Sequence, residues 1–194
     1  MEKIAVGPDL PKNIMDLDNP VEKNIKLLAE AKKTDPKNLT ACILERSRHK
    51  KIIETLKRMN VKINFIQDGD VTGVISVVDK NSETDIYLGI GGGPEGVLAA
   101  AALDCLGGQM QTRLVLSNDD EVKRAKRLGI TDLNRKYNIT DMVKGDVMFC
   151  ATGVTDGDML KGINILNDNT FEATTFALHK SGKTSKIIKN IVKR

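Results

Sequence analysis

Asp85-Ile86-Tyr87-Leu88-Gly89-Ile90-Gly91-Gly92-Gly93-Pro94-Glu95-Gly96 runs directly into the apolar, alanine-rich stretch Val97–Leu106. Asp85–Ile90 reads as a strand, the glycines as a turn, and Gly96–Leu106 as a helix buried on most sides. A strand feeding a helix through a tight turn is half of a βαβ unit, so its flanks decide whether the pattern repeats. Upstream, Thr40–Leu44 is a short β run and Val61–Ile66 a second strand. Between them, Arg48–Met59 sets Ile52, Ile53, Leu56 and Met59 at helical spacing. Downstream come a strand at Arg113–Leu116, a charged helix at Asp120–Leu128 and a buried strand at Asp146–Ala151. This alternation predicts an α/β fold with a mostly parallel sheet. Lys161–Leu166, a turn at Asn167–Asn169 and Phe171–Leu178 then predict a C-terminal antiparallel hairpin.

The first 38 residues read as an extended arm, Ile4–Pro11, followed by a helix. Asn19-Pro20 opens that helix, Glu22 lies in its first turn, and it runs to about Lys33. No composition break separates a second domain, so the expectation is a single α/β domain over 1–194, with its core at 39–194. The 194 residues carry 40% hydrophobic and 29% charged side chains, ordinary globular usage. Apolar runs fall far short of the ~20 residues of a membrane span. With aromatics at 3% and no Trp, stacking platforms for single-stranded nucleic acid are not expected. Cys42, Cys105 and Cys150 are scattered and lack CxxC spacing, which points to free thiols in a reducing cytoplasm.

The net charge of +4 comes from the tail, where Lys180, Lys183, Lys186, Lys189, Lys193 and Arg194 follow His179 without an acid. Without those six, acidic residues outnumber basic ones. The spacing of Ile187, Ile188, Ile191 and Val192 predicts an amphipathic helical end segment with those residues facing inward.

In open α/β sheets, ligands bind outside the carboxyl ends of the strands. Four polar turns fall at such ends: Glu45-Arg46-Ser47-Arg48-His49, Asp68-Gly69-Asp70, Gly91–Gly96, and Thr152-Gly153-Val154-Thr155-Asp156-Gly157-Asp158. The planar forks of Arg46 and Arg48 suit a phosphate, although helix-entry surface charges would look the same. Asp68 and Asp70 suit sugar hydroxyls or a hard cation, or equally a cap-and-turn pair. His49 reads more readily as a structural imidazole than as a ligand. Gly91, Gly93 and Gly96 satisfy G-x-G-x-x-G, with Asp119 and Asp120 beyond the next strand, the setting of a dinucleotide fingerprint. Glu95, however, stands in the first helical turn, where it repels a pyrophosphate unless a cation bridges the two. It suits either a metal ligand or a carboxylate stabilised by the helix dipole.

Together these turns resemble the class II fructose-1,6-bisphosphatases of the GlpX type. The quoted segments Glu45–His49, Ile66–Val71, Gly89–Gly96 and Ala151–Thr155 carry the resemblance, as does the opening Met1–Pro8. The resemblance implies a layered α/β sandwich of the lithium-sensitive sugar-phosphatase type. It also implies Mn²⁺- or Mg²⁺-dependent hydrolysis of the 1-phosphate of fructose 1,6-bisphosphate in gluconeogenesis, by a cytoplasmic homo-oligomer without membrane or nucleic-acid partners. Arg46, Ser47 and Arg48 would hold a substrate phosphate, Asp68, Gly69 and Asp70 the sugar, Gly92 would contact substrate, and Glu95 would ligate metal. Ser47 stands where the family often has Pro, and Gly93 where it often has Ala. The family sequence extends upstream of the segment matching Met1–Pro8, and that portion carries most of the metal-binding carboxylates and a substrate-contacting tyrosine. The catalytic residues are therefore expected outside this chain, which would be inactive alone. A non-catalytic sugar-phosphate-binding module and a Rossmann-like dinucleotide-binding domain are the alternative readings.

Overall fold

The computed structural model describes residues 1–157 and 159–193, so Asp158 and Arg194 lie outside the described residues. The chain divides into two compact units, Met1–Val143 and Lys144–Arg194.

The first unit runs β1 (Glu2–Val6), α1 (Val21–Ala31), β2 (Thr40–Leu44), α2 (Lys50–Arg58), β3 (Lys62–Ile66), α3 (Asp70–Ile75), β4 (Ile86–Ile90), α4 (Gly93–Leu106), β5 (Gln109–Arg113), α5 (Asp119–Arg127), β6 (Lys136–Asn138) and α6 (Ile139–Met142). Its strands form one sheet in the order β3-β2-β4-β1-β5-β6. β2 pairs in parallel with β3 and β4, while β1 runs antiparallel to β4 and β5, and β6 antiparallel to β5. Thus β3, β2, β4 and β5 share one direction and β1 and β6 oppose it, giving a mixed α/β architecture whose central sheet is mostly parallel.

Period-two alternation sends successive side chains to opposite faces of this sheet. Ile4, Val6, Ala41, Ile86 and Leu88 pack with Ile25 and Leu28 of α1 and Leu56 of α2. Ala5, Cys42, Tyr87 and Met110 pack on the other side with Val74 of α3 and with Ala99, Ala100 and Leu103 of α4. Helices therefore cover both faces, and β2, buried at every residue, reads as a continuous apolar run.

The second unit contains β7 (Met148–Thr152), β8 (Asn164–Asn167), β9 (Thr170–His179) and β10 (Thr184–Lys193). β9 pairs antiparallel with β10 along its whole length and with both β7 and β8. The hairpin expected at the C-terminus corresponds to β8 and β9.

Four sequence expectations change. The N-terminal arm is the central strand β1; Lys3 interrupts its apolar pattern, yet Lys3 is buried because a carboxylate neutralises it. The strand read at Arg113–Leu116 lies at Gln109–Arg113, where polar Gln109, Gln111 and Arg113 alternate with buried Met110 and Thr112. The strand read at Asp146–Ala151 lies at Met148–Thr152 in the antiparallel sheet, and alternate residues such as Met148 and Cys150 are exposed, so it is not a buried parallel strand. The tail is strand β10 with exposed isoleucines, not an inward-facing helix. Its β-branched residues favour an extended pleat, which outweighs their helix-compatible spacing.

Candidate functional site

Because β2, β3 and β4 run in one direction, their carboxyl ends deliver Glu45–His49, Gln67–Asp70 and Gly91–Gly96 to one edge of the sheet. The turn Thr152–Gly157 follows β7 in the other sheet and belongs to the second unit.

Side chains from the first turn stitch the other two to it. Arg46 donates from Nη1 to its neighbour Glu45 O at 2.9 Å and from Nη2 to the carbonyl of Gln67. Gln67 in turn donates through Nε2 to Glu45 Oε2 at 2.6 Å. Arg48 reaches the third turn, its Nε donating to Ile90 O at 2.8 Å. Arg48 is exposed, and this bond leaves Nη1 and Nη2 directed elsewhere than the Ile90 carbonyl. The phosphate-suited fork is thus retained at Arg48, whereas that of Arg46 is committed to backbone carbonyls.

His49 is wholly buried between the same two strands. Ile90 N–H donates to its Nε2 at 2.8 Å, which places the ring proton on Nδ1, 2.8 Å from Leu44 O. The imidazole joins the carboxyl ends of β2 and β4, the structural role its position in the turn suggested.

The second turn depends on Gly69, whose φ of +86° lies in the left-handed region that other residues rarely adopt. Asp68 is exposed and accepts the Gly69 N–H at 2.9 Å. Asp70 differs sharply, being 8% exposed, with one carboxylate oxygen paired to Lys3 and the other accepting the Tyr87 hydroxyl. Sequence reasoning missed Lys3 and Tyr87. The available signal was a lysine directly before the apolar run Ile4-Ala5-Val6 and a tyrosine inside Ile86–Leu88.

In the third turn Gly92 caps α4, and Pro94 sits in its first turn. The exposed Glu95 folds its carboxylate back over Gly92, into the space a Cβ there would occupy. That negative charge lies where a dinucleotide pyrophosphate would need free N–H groups, so the glycine spacing does not make a dinucleotide cradle. A hollow of about 370 Å³ beside this edge is lined by Glu45, Arg46, Ser47, Lys50, Ile53, Glu54 and Lys57, so its cations are partly offset by two carboxylates, one of them paired with Lys50. A larger one, about 470 Å³, lies at the far end of β1 near Val6, Leu10, Met15, Gln109 and Gln111. There the two glutamines are bonded to backbone groups of the loop after β1, so the larger hollow carries no comparable chemistry.

Against known proteins, the model of the bacterial, glpX-encoded fructose-1,6-bisphosphatases matches residues 1–192. The chain belongs to this family. Among its relatives is a class 2 fructose-1,6-bisphosphatase of Haemophilus influenzae, 35% identical, with 98% of this chain and 61% of that protein covered. A Synechococcus protein named D-fructose 1,6-bisphosphatase class 2/sedoheptulose 1,7-bisphosphatase is 30% identical, with 98% and 58% covered. One of the same name from Trichodesmium erythraeum is 29% identical, with 98% and 59% covered. The chain thus spans about three-fifths of the length of these curated relatives.

The family implies a metal-dependent phosphatase, and the acidic residues of this GlpX-type chain are the groups that could ligate its cation. Among the described residues, no three His, Cys, Asp or Glu side chains converge to hold a metal ion. Glu95 stands alone at the helix start, Asp68 serves its own turn, and Asp70 is engaged by Lys3 and Tyr87. A divalent cation needs several oxygen ligands, and these residues do not supply them. No described helix is long and apolar enough to cross a membrane.

Proposed function

We propose that this chain forms the sugar-phosphate-binding part of a class II fructose-1,6-bisphosphatase. The enzyme hydrolyses the 1-phosphate of fructose 1,6-bisphosphate to fructose 6-phosphate and inorganic phosphate. The observation that supports this reading best is the outward guanidinium of Arg48, anchored through Nε to the strand end that opens the glycine turn. A guanidinium fixed by one nitrogen presents its remaining donors to an anion with little further loss of side-chain freedom. Arg46, its fork held on backbone carbonyls, contributes positive charge beside Ser47 rather than a second fork, Asp68 and Gly69 face the sugar, and Gly92 allows close approach of substrate to backbone. Glu95 gives one carboxylate to a Mn²⁺ or Mg²⁺ site whose other ligands are not among the described residues, so no chemical step is assigned to this chain. The setting is gluconeogenesis in the cytoplasm, in a homo-oligomer with the layered fold of the lithium-sensitive sugar phosphatases.

Titrating the purified 194-residue chain with fructose 1,6-bisphosphate tests the pocket. Arg48→Ala should weaken binding by about 1.5–3 kcal/mol, tenfold or more, the range of a charge-assisted hydrogen bond. Arg48→Lys should recover only part of this, because the fork is lost. Unchanged affinity in Arg48→Ala would remove the phosphate assignment. Glu95→Gln, in a chain extended to the length of its relatives, should lower Mn²⁺ affinity and turnover with little effect on stability. A cost of roughly 0.3–1 kcal/mol in stability with normal turnover would instead make Glu95 a dipole-stabilising residue.

A further inference from the structure

Beneath the glycine turn lies a cluster in which Lys3 and Tyr87 have no role in the phosphatase reading, while the third member, Asp70, was expected to hold the sugar. The Lys3 side chain is fully buried on β1, and its ammonium pairs with Asp70. Tyr87 of β4, fully buried too, donates its hydroxyl to the second oxygen of the same carboxylate. Glycines make the room. A Cβ on Gly73 would come within 2.9 Å of the tyrosine ring, and one on Gly89 within 2.9 Å of its hydroxyl oxygen. A Cβ on Gly91 would run into the Asp70 carboxylate and lie 2.9 Å from Lys3 Nζ, while one on Gly96 would lie 3.2 Å from Lys3 Cε. The cluster therefore touches both polar turns at once. Asp70 opens α3 directly after Gly69, and Lys3 packs under Gly91 and Gly96.

Stability alone is a poor reason for such an arrangement. The cost of desolvating a buried ion pair is often as large as its Coulombic gain, and apolar residues of similar volume usually do as well. Fixed geometry is a better one, because both oxygens of Asp70 are held by donors from two different strands. Lys3 also cancels the negative charge of Asp70, which would otherwise oppose an anion bound at the turns above. We propose that Lys3 and Tyr87 are positioning residues for the sugar-phosphate site, acting through Asp70 to hold the Gly69 turn against the Gly91–Gly96 turn. The proposal rests on the sugar-phosphate reading of those turns. It makes Asp70 an inward-facing anchor and, within the second turn, leaves contact with the sugar to Asp68 and Gly69.

Tyr87→Phe, which keeps the ring, and Lys3→Met, which keeps most of the volume, test this in the full 194-residue chain. One readout is amide hydrogen exchange at Gly73, Gly91 and Gly96, whose N–H groups bond to Gly69 O, Met1 O and Gly92 O at 2.9, 3.0 and 3.3 Å. Amides of Ile25 and Leu28 in α1 report global opening. The other readout is affinity for fructose 1,6-bisphosphate, with Arg48→Ala alongside. Both variants should raise exchange at the three glycines about tenfold without moving α1, and weaken binding about five- to twentyfold. Should Lys3→Met fail to fold, Tyr87→Phe decides alone. Unchanged glycine exchange in Tyr87→Phe overturns the proposal. So does raised exchange with normal affinity while Arg48→Ala binds weakly. If Arg48→Ala binds as tightly as the unaltered chain, it is the binding-site reading that fails, and glycine exchange still decides whether the cluster holds the two turns together.

Discussion

In the unit Met1–Val143 a lysine lies wholly inside the protein, whereas in Lys144–Arg194 the side chains of Ile187 and Ile191 are 62% and 69% exposed. Both depart from the rule that charge faces water and hydrocarbon faces the core, and in opposite directions. Lys3 can be buried because Asp70 accepts from its ammonium, while Tyr87 satisfies the second carboxylate oxygen of Asp70, in a sheet covered by helices on both faces. Ile187 and Ile191 are exposed on a strand that, among the described residues, is bonded to β9 alone, so β10 is held by its backbone ladder rather than by burial of these side chains. Residue type therefore sets burial only through partners. In the first unit the partner is a carboxylate 67 positions along the chain; for β10 it is a backbone ladder.

The largest expected effect breaks the buried partnership on one side. Asp70→Ala strands the Lys3 ammonium and the Tyr87 hydroxyl away from water, and removing one member of a buried pair costs about 3–5 kcal/mol. Denaturant unfolding of the chain should show a loss of that size. A loss below about 1 kcal/mol would mean that water reaches Lys3, and the contrast between the units would weaken accordingly. The double variant Lys3→Met/Asp70→Leu should recover most of the loss, since it leaves no uncompensated charge.

A smaller effect belongs to the second unit and depends on pH. Asp146 accepts hydrogen bonds from the hydroxyl and the N–H of Ser181 and lies 2.8 Å from His179 Nε2, at the turn joining β9 to β10. Chiefly the Ser181 hydroxyl, then His179, hold its carboxyl down to about 2. A carboxyl lowered on folding stabilises the folded state above the ordinary carboxylate value, and that support is lost as pH falls from there through about 2. Asp146 is exposed, so the effect should appear as local fraying of the β9–β10 turn. NMR titration should place the Asp146 midpoint near 2, with Ser181 and Lys183 amides moving together with it. An ordinary midpoint would show that the clasp is open in solution. In the first unit, Asp16 and Asp18 are also lowered, chiefly by hydrogen bonds from Lys136, so low pH should loosen their loop as well.

Legibility in the sequence divides along the same line. β2, β3, β4, α2 and α4 were legible because each carries an unbroken apolar run or stripe, and the first three polar turns emerged from inspecting the carboxyl ends of those strands. β1 was read as an arm because Lys3 hides its pattern until Asp70 is known to meet it. α3 was unread because Val71, Thr72, Gly73 and Val74 are poor helix formers, and Gly73 is there to admit the Tyr87 ring. The arginine pair was visible, but not its division of labour, since carbonyls 21 and 42 residues away decide which guanidinium stays outward. β10 was misread because β-branched residues spaced four apart satisfy both periods.

The smallest expected effect tests whether the exposed isoleucines are as unsupported as their exposure indicates. Leu178, on β9, is 2% exposed, while Ile191 on the neighbouring strand is 69% exposed. Leu178→Ala removes buried methyl groups and leaves a cavity, a change that costs about 2–5 kcal/mol. Ile191→Thr keeps the β-branch that suits an extended pleat, replaces the ethyl arm of a side chain already in water with a hydroxyl, and leaves the backbone ladder to β9 intact. Its cost should stay within about 0.5 kcal/mol, the range of surface substitutions. Comparing the two variants by denaturant unfolding, with Ile187→Thr as a repeat of the second, isolates side-chain packing from strand formation. A loss above about 1 kcal/mol in either isoleucine variant, beyond that surface range, would show that β10 is covered in solution, and the difference between the two units would then be one of partner identity alone.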